Sequence, residues 1–274
     1  MTDIPVTERR DTRFSDIGEI DTLTLLTRVN DEDARVAPAV RKALPAIARV
    51  ADRAAESIAR GGRLVYVGAG TSGRLGVLDA SECPPTFGVS PETVQGHIAG
   101  GYDALLRSIE GAEDDAGAGE ALADRLRLDE RDTVVGISAS GGARFVIAAI
   151  ARARSRGAFT AALTSNEGTG LAEAAEMEIA VVTGPEVVAG STRMKCGTAQ
   201  KMVLNMISTA AMVRLGRARG GHMTGMRAVN EKLRNRSVRI AMETTGADEA
   251  RAKAALEACG YDTAQAIRAL EGDK

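Results

Sequence analysis

The sequence predicts an α/β fold in which a doubly wound, parallel, five-stranded sheet is covered by helices on both faces. Five short apolar runs alternate with segments of helical periodicity, which is the pattern of a parallel sheet with crossover helices. The length of 274 residues corresponds to one large domain or two small ones. Hydrophobic residues make up 44% and charged residues 26%, and these globular proportions exclude disorder as the main state.

The first 60 residues are predicted to form an arm and helices that pack on the core. Residues 1–20 are polar and aperiodic, as expected for an arm that lies over another part of the molecule. From Asp21 to Arg60, apolar residues recur every three or four positions, which indicates helix. Pro38 and Pro45 interrupt this pattern, so we expect two or three helical pieces rather than one rod.

The central region, residues 61–218, contains the predicted sheet. The strands are expected at 63–68, 93–98, 132–138, 159–165 and 178–183. Helical periodicity fills the segments between them, at 73–82, 103–127, 143–156 and 168–175. The first of these helices is expected to end at Pro84 and Pro85, because proline lacks the amide hydrogen that a helix interior needs.

The remainder of the chain is predicted to be helical. Residues 192–217 form a long helix that is apolar on most sides, which indicates burial against the sheet or a second subunit. Residues 219–274 are expected to form a C-terminal helical appendage. Its helices are one over 228–245 and two short ones within 247–270, separated at Gly260.

Composition excludes several functional classes. A net charge of −2 argues against nucleic-acid binding through bulk positive charge. Three widely spaced cysteines and two histidines argue against a disulfide scaffold, a zinc ribbon or a histidine-rich metal centre. No apolar stretch approaches the length of a membrane span, and residues 1–21 contain no apolar segment of the kind that a secretory signal needs, so we expect no such signal. We therefore expect a cytoplasmic protein that holds no metal and contacts neither nucleic acid nor membrane.

Three loops rich in glycine, serine and threonine follow the first, third and fifth predicted strands, at 68–73, 138–142 and 184–192. Ligands of open parallel sheets bind beyond the carboxyl ends of the strands, so these loops are expected to meet at one site. Amide groups at a helix start carry partial positive charge, and small hydroxyl groups add donors. The three loops therefore fit a phosphate and sugar hydroxyl groups.

The first loop also matches the dinucleotide fingerprint GxGxxG, with glycines at 68, 70 and 73. The fingerprint requires an acidic residue at the end of the second strand, where this chain has His97 to Gly100. The loop is followed by Arg74 rather than by the lysine of a nucleoside triphosphate site. We expect no nucleotide cofactor.

Four further side chains are candidates for chemistry. Glu82 precedes the two prolines, and Glu113 lies in an acidic cluster, although carboxylates in such places are usually solvated. Glu186 lies within the third loop. Lys195 is either a phosphate partner or a surface residue at the start of the long helix.

Five blocks of the chain resemble N-acetylmuramic acid 6-phosphate etherases, which belong to the sugar isomerase (SIS) fold group. The blocks are 67–88, 100–115, 137–166, 187–209 and 228–240. The resemblance implies a cytoplasmic, cofactor-free lyase that cleaves the D-lactyl ether of N-acetylmuramic acid 6-phosphate during recycling of cell-wall sugars. It also implies a homodimer with the site near the subunit interface. The segment 219–224 is the part least similar to the family.

The resemblance implies that Glu82 and Glu113 are the catalytic pair. We expect Glu82 to protonate the departing lactyl oxygen and Glu113 to remove the C2 proton. A proton donor works best with a pKa raised from about 4.3 toward about 6–7, so Glu82 is expected to be partly desolvated.

The resemblance also implies where the substrate binds. The phosphate is expected against the Ser138–Gly142 loop and the helix start at Ser191 and Thr192, while Glu186 assists ring opening. The remaining substrate contacts are expected at Gly70, Thr71, Ser72, Ser138, Ser140, Gly141 and Lys195.

Two other functions fit a phosphosugar fold. One is a sugar-phosphate-binding regulator without catalysis, and the other is a phosphosugar isomerase. The absence of a recognisable helix-turn-helix or basic arm, together with both glutamates, favours the enzyme. The product separates lyase from isomerase, since one forms D-lactate and the other a ketose phosphate.

Overall fold

The computed structural model describes residues 4–225 and 231–272. Within them the five predicted strands form one parallel sheet in the order β2-β1-β3-β4-β5. The bounds are β1 (Leu64–Gly68), β2 (Val94–Ile98), β3 (Thr133–Ile137), β4 (Phe159–Thr164) and β5 (Met177–Ala180). This order is that of a doubly wound sheet whose winding reverses between β1 and β3, so the predicted fold class is confirmed.

The helices of the described residues follow the predicted alternation. Two precede the sheet: α1 (Thr22–Asp33) and α2 (Val36–Ala59). Those that connect the strands are α3 (Gly70–Phe87), α4 (Asp103–Leu106), α5 (Ala116–Arg125), α6 (Arg144–Ser155) and α7 (Gly170–Ala174). Those that follow the sheet are α8 (Lys195–Arg214), α9 (Glu231–Thr245), α10 (Glu249–Ala258) and α11 (Thr263–Gly272).

Helices cover both faces of the sheet, and the side chains of each strand alternate between these two faces. Leu64 and Tyr66 of β1 pack with α2, α3 and α8 in one apolar cluster. Val65 and Val67 pack in a second cluster with α5, α6 and α7. The result is a three-layer arrangement. Because the strands are parallel, their carboxyl ends and the loops that follow them all lie at one edge of the sheet.

The region before the sheet contains two helical pieces, as predicted. The Asp21 carboxylate caps α1 by accepting the Thr24 amide hydrogen at 3.1 Å. Helix α2 continues through Pro45, which lies on its exposed side. On that side, water can bond the carbonyl left without its amide partner, so the proline does not end the helix.

Helix α3 differs from the prediction. It runs through Pro84 and Pro85 and ends only at Gly88, which has φ +65° and donates its amide hydrogen to the Pro84 carbonyl. Cys83 and Phe87 are both buried, and their packing holds the last turn against the sheet. The predicted end at residue 82 is therefore wrong, and Glu82 lies inside the helix.

The predicted helix over 103–127 is two helices, α4 and α5, separated by a loop and a 3₁₀ turn at Ala112–Asp114. Gly111, with φ +72°, precedes that turn. At the C-terminal end, the predicted break at Gly260 separates α10 from α11. Residues 228–230 of the predicted 228–245 helix lie outside the described residues.

Helices α9, α10 and α11 pack around an apolar cluster of their own, which includes Ile240, Leu256 and Ile267. At the other end of the chain, two 3₁₀ turns (Val6–Glu8 and Thr12–Phe14) lie before α1. None of the helices in the described part of the chain is long and apolar enough to cross a membrane.

Candidate active site

Two pockets open at the carboxyl edge of the sheet, on either side of the point where the winding reverses. The first, which we call the β1–β2 pocket, has a volume of about 320 Å³. It is lined by Ala69 after β1 and Ala99 after β2, together with Gly70, Arg74 and Glu113. The start of α3, a carboxylate and a guanidinium therefore share this space.

The second, the β3–β4 pocket, has a volume of about 610 Å³. Its walls are the loop Ser140–Gly142, the segment Asn166–Gly170 and residues 4–6 and 9 of the N-terminal arm. The arm is fixed to this pocket, because buried Thr7 accepts a hydrogen bond from the Asn166 side chain at 3.1 Å.

The loop after β3 is held by its own serines. The Gly141 amide donates to Ser138 Oγ at 3.1 Å, and the Gly142 amide donates to Ser140 Oγ at 3.2 Å. Gly141 has φ +75°, and a β-carbon built there would overlap the Thr169 side chain. Glycine is therefore required at this position, both for its backbone conformation and for its closeness to the loop after β4.

The first and third loops meet where α3 and α8 begin. The Ser72 hydroxyl donates to Gln200 Oε1 of α8 at 2.9 Å. A β-carbon built on Gly197 would lie 3.6 Å from Thr71 Cγ2. Ser191 and Thr192 form the turn before α8, with amides bonded to the carbonyls of residues 188 and 190, and both are half-buried.

The GxGxxG pattern has a packing explanation. A β-carbon on Gly73 would overlap Ile98 of β2, and one on Gly68 would overlap the backbone of Gly73. The two glycines allow α3 to lie directly against β1 and β2.

Glu186 and Lys195 make contacts that sequence reasoning did not anticipate. The fully buried Glu186 carboxylate accepts the amide hydrogens of Lys195 at 3.0 Å and Cys196 at 2.9 Å, and so caps α8. The Lys195 ammonium is 2.7 Å from Glu32 Oε2. A carboxylate therefore occupies the helix start at which a phosphate was expected, and Lys195 is turned toward α1.

The two expected catalytic glutamates lie far apart within one chain. Glu113 is in the 3₁₀ turn that lines the β1–β2 pocket. Glu82 is eight residues beyond Arg74, the last residue of α3 that lines this pocket, which places it about 12 Å along the helix from the pocket. Glu82 is also exposed, so the expected desolvation is absent in the single chain.

A buried network holds α3 to α8 one turn before Glu82. The Asp79 carboxylate accepts hydrogen bonds from Tyr66 at 2.9 Å, Asn205 at 2.6 Å and Ser208 at 3.1 Å. Burial and the nearby Asp79 raise the pKa of the Cys83 thiol to about 12, so Cys83 is an inert packing residue.

Three pocket residues were not among the sequence candidates. Arg74 could have been predicted from the sequence, because it directly follows the first glycine-rich loop and lies in the opening turns of α3. Arg9 lines the β3–β4 pocket because the arm lies over it, and Asn166 lines it because the loop after β4 ends there. Local sequence reveals neither placement. Among the described residues, no three histidine, cysteine, aspartate or glutamate side chains are grouped so that they could hold a metal ion.

Comparison with known proteins agrees with this architecture. The family model of the glucokinase regulatory protein N-terminal SIS domain matches residues 46–154. An N-acetylmuramic acid 6-phosphate etherase of Symbiobacterium thermophilum is 53% identical over 97% of this chain and 88% of its own length. One of Klebsiella aerogenes is 49% identical over 96% of this chain and 87% of its own length.

Among solved structures, a phosphoheptose isomerase from Francisella tularensis superposes with a TM-score of 0.56 at 18% identity. The match covers 71% of this chain and all of that one, and at this identity it supports the fold alone.

Proposed function

Because the chain belongs to the N-acetylmuramic acid 6-phosphate etherase family, we propose that its two pockets hold this phosphosugar and that Glu82 and Glu113 catalyse its cleavage. The enzyme is a carbon–oxygen lyase. It cleaves the D-lactyl ether by elimination followed by hydration, and releases N-acetylglucosamine 6-phosphate and D-lactate. This reaction returns a cell-wall sugar to amino-sugar metabolism.

The reaction needs two acid–base groups. In the ring-opened sugar, the C1 aldehyde makes the C2 hydrogen acidic, so a carboxylate can remove it. The C3–oxygen bond then breaks, a carboxylic acid protonates the departing lactyl oxygen, and a C2–C3 double bond remains. Water adds its hydroxyl to C3, giving up a proton to the carboxylate formed by the acid, while the first group returns a proton to C2. The two carboxyl groups end in their starting states.

The observation that carries this assignment is the position of Glu113. Glu113 lines the β1–β2 pocket together with Gly70, the first residue of α3. The partial positive charge of that helix start stabilises the negative charge that develops on the C1 oxygen as C2 loses its proton. We therefore assign Glu113 as the base and the β1–β2 pocket as the place of the reacting atoms.

The phosphate is assigned to the β3–β4 pocket. Ser138, Ser140 and Gly141 form its loop, and the positively charged Arg9 lines the same space. Thr71, Ser72, Ser191 and Thr192 lie where the first and third loops meet, and are assigned to the sugar. Glu186 and Lys195 support the third loop from within rather than touching the substrate, because each is already engaged by protein groups.

Glu82 is assigned to the site of a second subunit. Leu78, one turn earlier on the same side of α3, is 49% exposed. A nearby groove between α2 and α8 is lined by further apolar side chains: Leu44, Ile47, Met202 and Met206. A homodimer that covers this face desolvates Glu82 and brings it to its partner's β1–β2 pocket. The separation of Glu82 and Glu113 within one chain supports this arrangement.

The test is a coupled assay. The protein is incubated with N-acetylmuramic acid 6-phosphate, and D-lactate is followed with a D-specific lactate dehydrogenase. D-lactate formation supports the lyase. A ketose phosphate without D-lactate indicates the isomerase, and phosphosugar binding without turnover indicates the regulator.

A further inference from the structure

The β1–β2 pocket contains a positive charge, on Arg74, that the elimination chemistry does not use. Two carboxylates line it, those of Glu110 and Glu113. Arg74 is the single cationic side chain among its described lining residues. Arg74 is half-buried in the second turn of α3, so its charge is less screened than that of a surface arginine.

The guanidinium of Arg74 is fixed but not neutralised. Its Nε donates to the Leu105 carbonyl at 3.2 Å, which anchors the group at the wall of the pocket. Among the described residues, no carboxylate forms an ion pair with it, and its guanidinium makes one hydrogen bond, from Nε. The two terminal nitrogens, which form the guanidinium fork, are therefore available to a ligand.

The substrate carries two anionic groups at opposite ends. The C6 phosphate belongs with the glycine-rich loop of the β3–β4 pocket. The second anion is the carboxylate of the lactyl group on C3, the carbon next to the one that Glu113 deprotonates. When C2 approaches Glu113, this carboxylate must enter the same pocket, where Glu110 and Glu113 repel it.

We propose that Arg74 binds the lactyl carboxylate and so distinguishes the substrate from phosphosugars that lack this group. This inference rests on the proposed function. A guanidinium matches a carboxylate with two parallel hydrogen bonds, which an ammonium cannot reproduce. Ala99, Ala104 and Ile109 line the same pocket and supply apolar contacts for the lactyl methyl group.

The experiment compares a ligand with the carboxylate and a ligand without it. For Arg74→Gln, Arg74→Lys and the wild type, kcat/KM is measured on N-acetylmuramic acid 6-phosphate by D-lactate release. The Kd of N-acetylglucosamine 6-phosphate is measured by calorimetry. Arg60→Gln is the matched control, because Arg60 is an exposed arginine at the opposite edge of the sheet, after α2.

Arg74→Gln is expected to lower kcat/KM by about 10- to 100-fold, the range for loss of hydrogen bonds to a charged group. The Kd of N-acetylglucosamine 6-phosphate is expected to stay within about threefold of the wild-type value. Retained binding of this ligand also shows that the variant is folded. Arg74→Lys recovers only part of the loss, and Arg60→Gln behaves as the wild type. Inhibition by added D-lactate weakens in Arg74→Gln.

Two results overturn the inference. Equal weakening of N-acetylglucosamine 6-phosphate binding would assign Arg74 to the phosphate or to the shape of the pocket. An unchanged kcat/KM in Arg74→Gln would remove it from substrate binding. Failure of the proposed function itself is separate, because the wild type would then release no D-lactate.

Discussion

The ammonium group of Lys195 lies 2.7 Å from the carboxylate of Glu32, and each side chain is only about 2–3% exposed. Arg13 of the arm donates to the other oxygen of Glu32 at 2.8 Å. One charge cluster therefore joins the arm, the end of α1 and the start of α8, directly beneath the third loop.

Breaking this ion pair is expected to destabilise the fold strongly. Lys195→Met leaves the Glu32 carboxylate buried without its nearest cation, at a cost of about 3–5 kcal/mol in the free energy of unfolding. Lys253→Met is the matched control, because Lys253 pairs with Glu249 on the surface of α10 and its loss should change stability little. Urea unfolding at pH 7 measures both. Equal, small effects would contradict the structural importance of the buried pair.

The same cluster predicts a dependence of stability on pH. Burial acts to raise the pKa of Glu32, but hydrogen bonds from Lys195 and Arg13 outweigh it and hold the pKa below its ordinary value of 4.5. Near this pKa the folded state therefore binds fewer protons than the unfolded state. The stability that the charged Glu32 contributes is fully present above pH 4.5 and is lost as pH falls through the folded pKa. Between pH 7 and pH 3, Glu32→Gln should lose less stability than the wild type. Parallel curves would show that Glu32 contributes nothing to the acid sensitivity.

Removal of either proposed catalytic glutamate is expected to reduce turnover without unfolding the protein. Glu82→Gln and Glu113→Gln should each lower kcat by about 10²–10⁴, the usual range for acid–base groups. Both side chains are exposed in the single chain, so thermal unfolding should stay close to wild type. Full activity of one variant would remove that residue from the pair, whereas Glu186→Gln is expected to keep turnover and lose stability.

Mixing the two inactive variants tests whether the site is shared between chains. If Glu82 of one subunit acts with Glu113 of the other, each mixed dimer contains one intact site and one site without either glutamate. Random exchange in a twofold dimer should then restore about one quarter of the wild-type activity. The measurement is D-lactate release after the subunits are exchanged and re-equilibrated. An inactive mixture, with exchange verified by native mass spectrometry, would place both glutamates in the same chain's site.

The loop after β3 is expected to tolerate no side chain at position 141. Gly141→Ala adds a β-carbon at positive φ that also overlaps Thr169, so both stability and phosphosugar affinity should fall. Gly61→Ala is the matched control: Gly61 also has positive φ, at +80°, but a β-carbon there meets nothing within 4 Å, and Gly61 precedes β1 at the opposite edge of the sheet. It should lose only the backbone contribution to stability, about 1–2 kcal/mol. Similar phosphosugar affinities for the two variants would show that the contact with Thr169 is unimportant.

The strands were predictable because their signal is local. Apolar runs such as Leu64–Val67 are buried on both faces, and the predicted bounds agree with the observed ones within a residue or two for four of the strands. The fifth ends three residues earlier than expected, at Ala180. The end of α3 was not predictable from Pro84 and Pro85, because burial of Cys83 and Phe87 overrides the local preference of proline.

The candidate site was predictable only in part. The glycine-rich loops were recognisable in the sequence, but they were expected to meet at one site. Instead, the loops after β1 and β3 line two separate pockets, and no residue of the third loop lines either. The contacts of Lys195 depend on Glu32, which is 163 positions earlier in the chain and carries no local sign of its role. Glu82 lies in a recognisable block, but its distance from Glu113 depends on which end of α3 the acidic turn approaches, and the sequence carries no local sign of that.

The position of the arm makes it a suitable place to attach a reporter of ligand binding. Because residues 4–6 form a wall of the β3–β4 pocket, a fluorophore attached there lies beside the position proposed for the phosphate and should report phosphosugar binding. Cys83 and Cys196 are buried, so replacing the partly exposed Cys259 leaves an engineered cysteine at Ile4 as the site that dye reagents reach. An affinity tag belongs instead after α11, which packs against α9 and α10 and does not line this pocket.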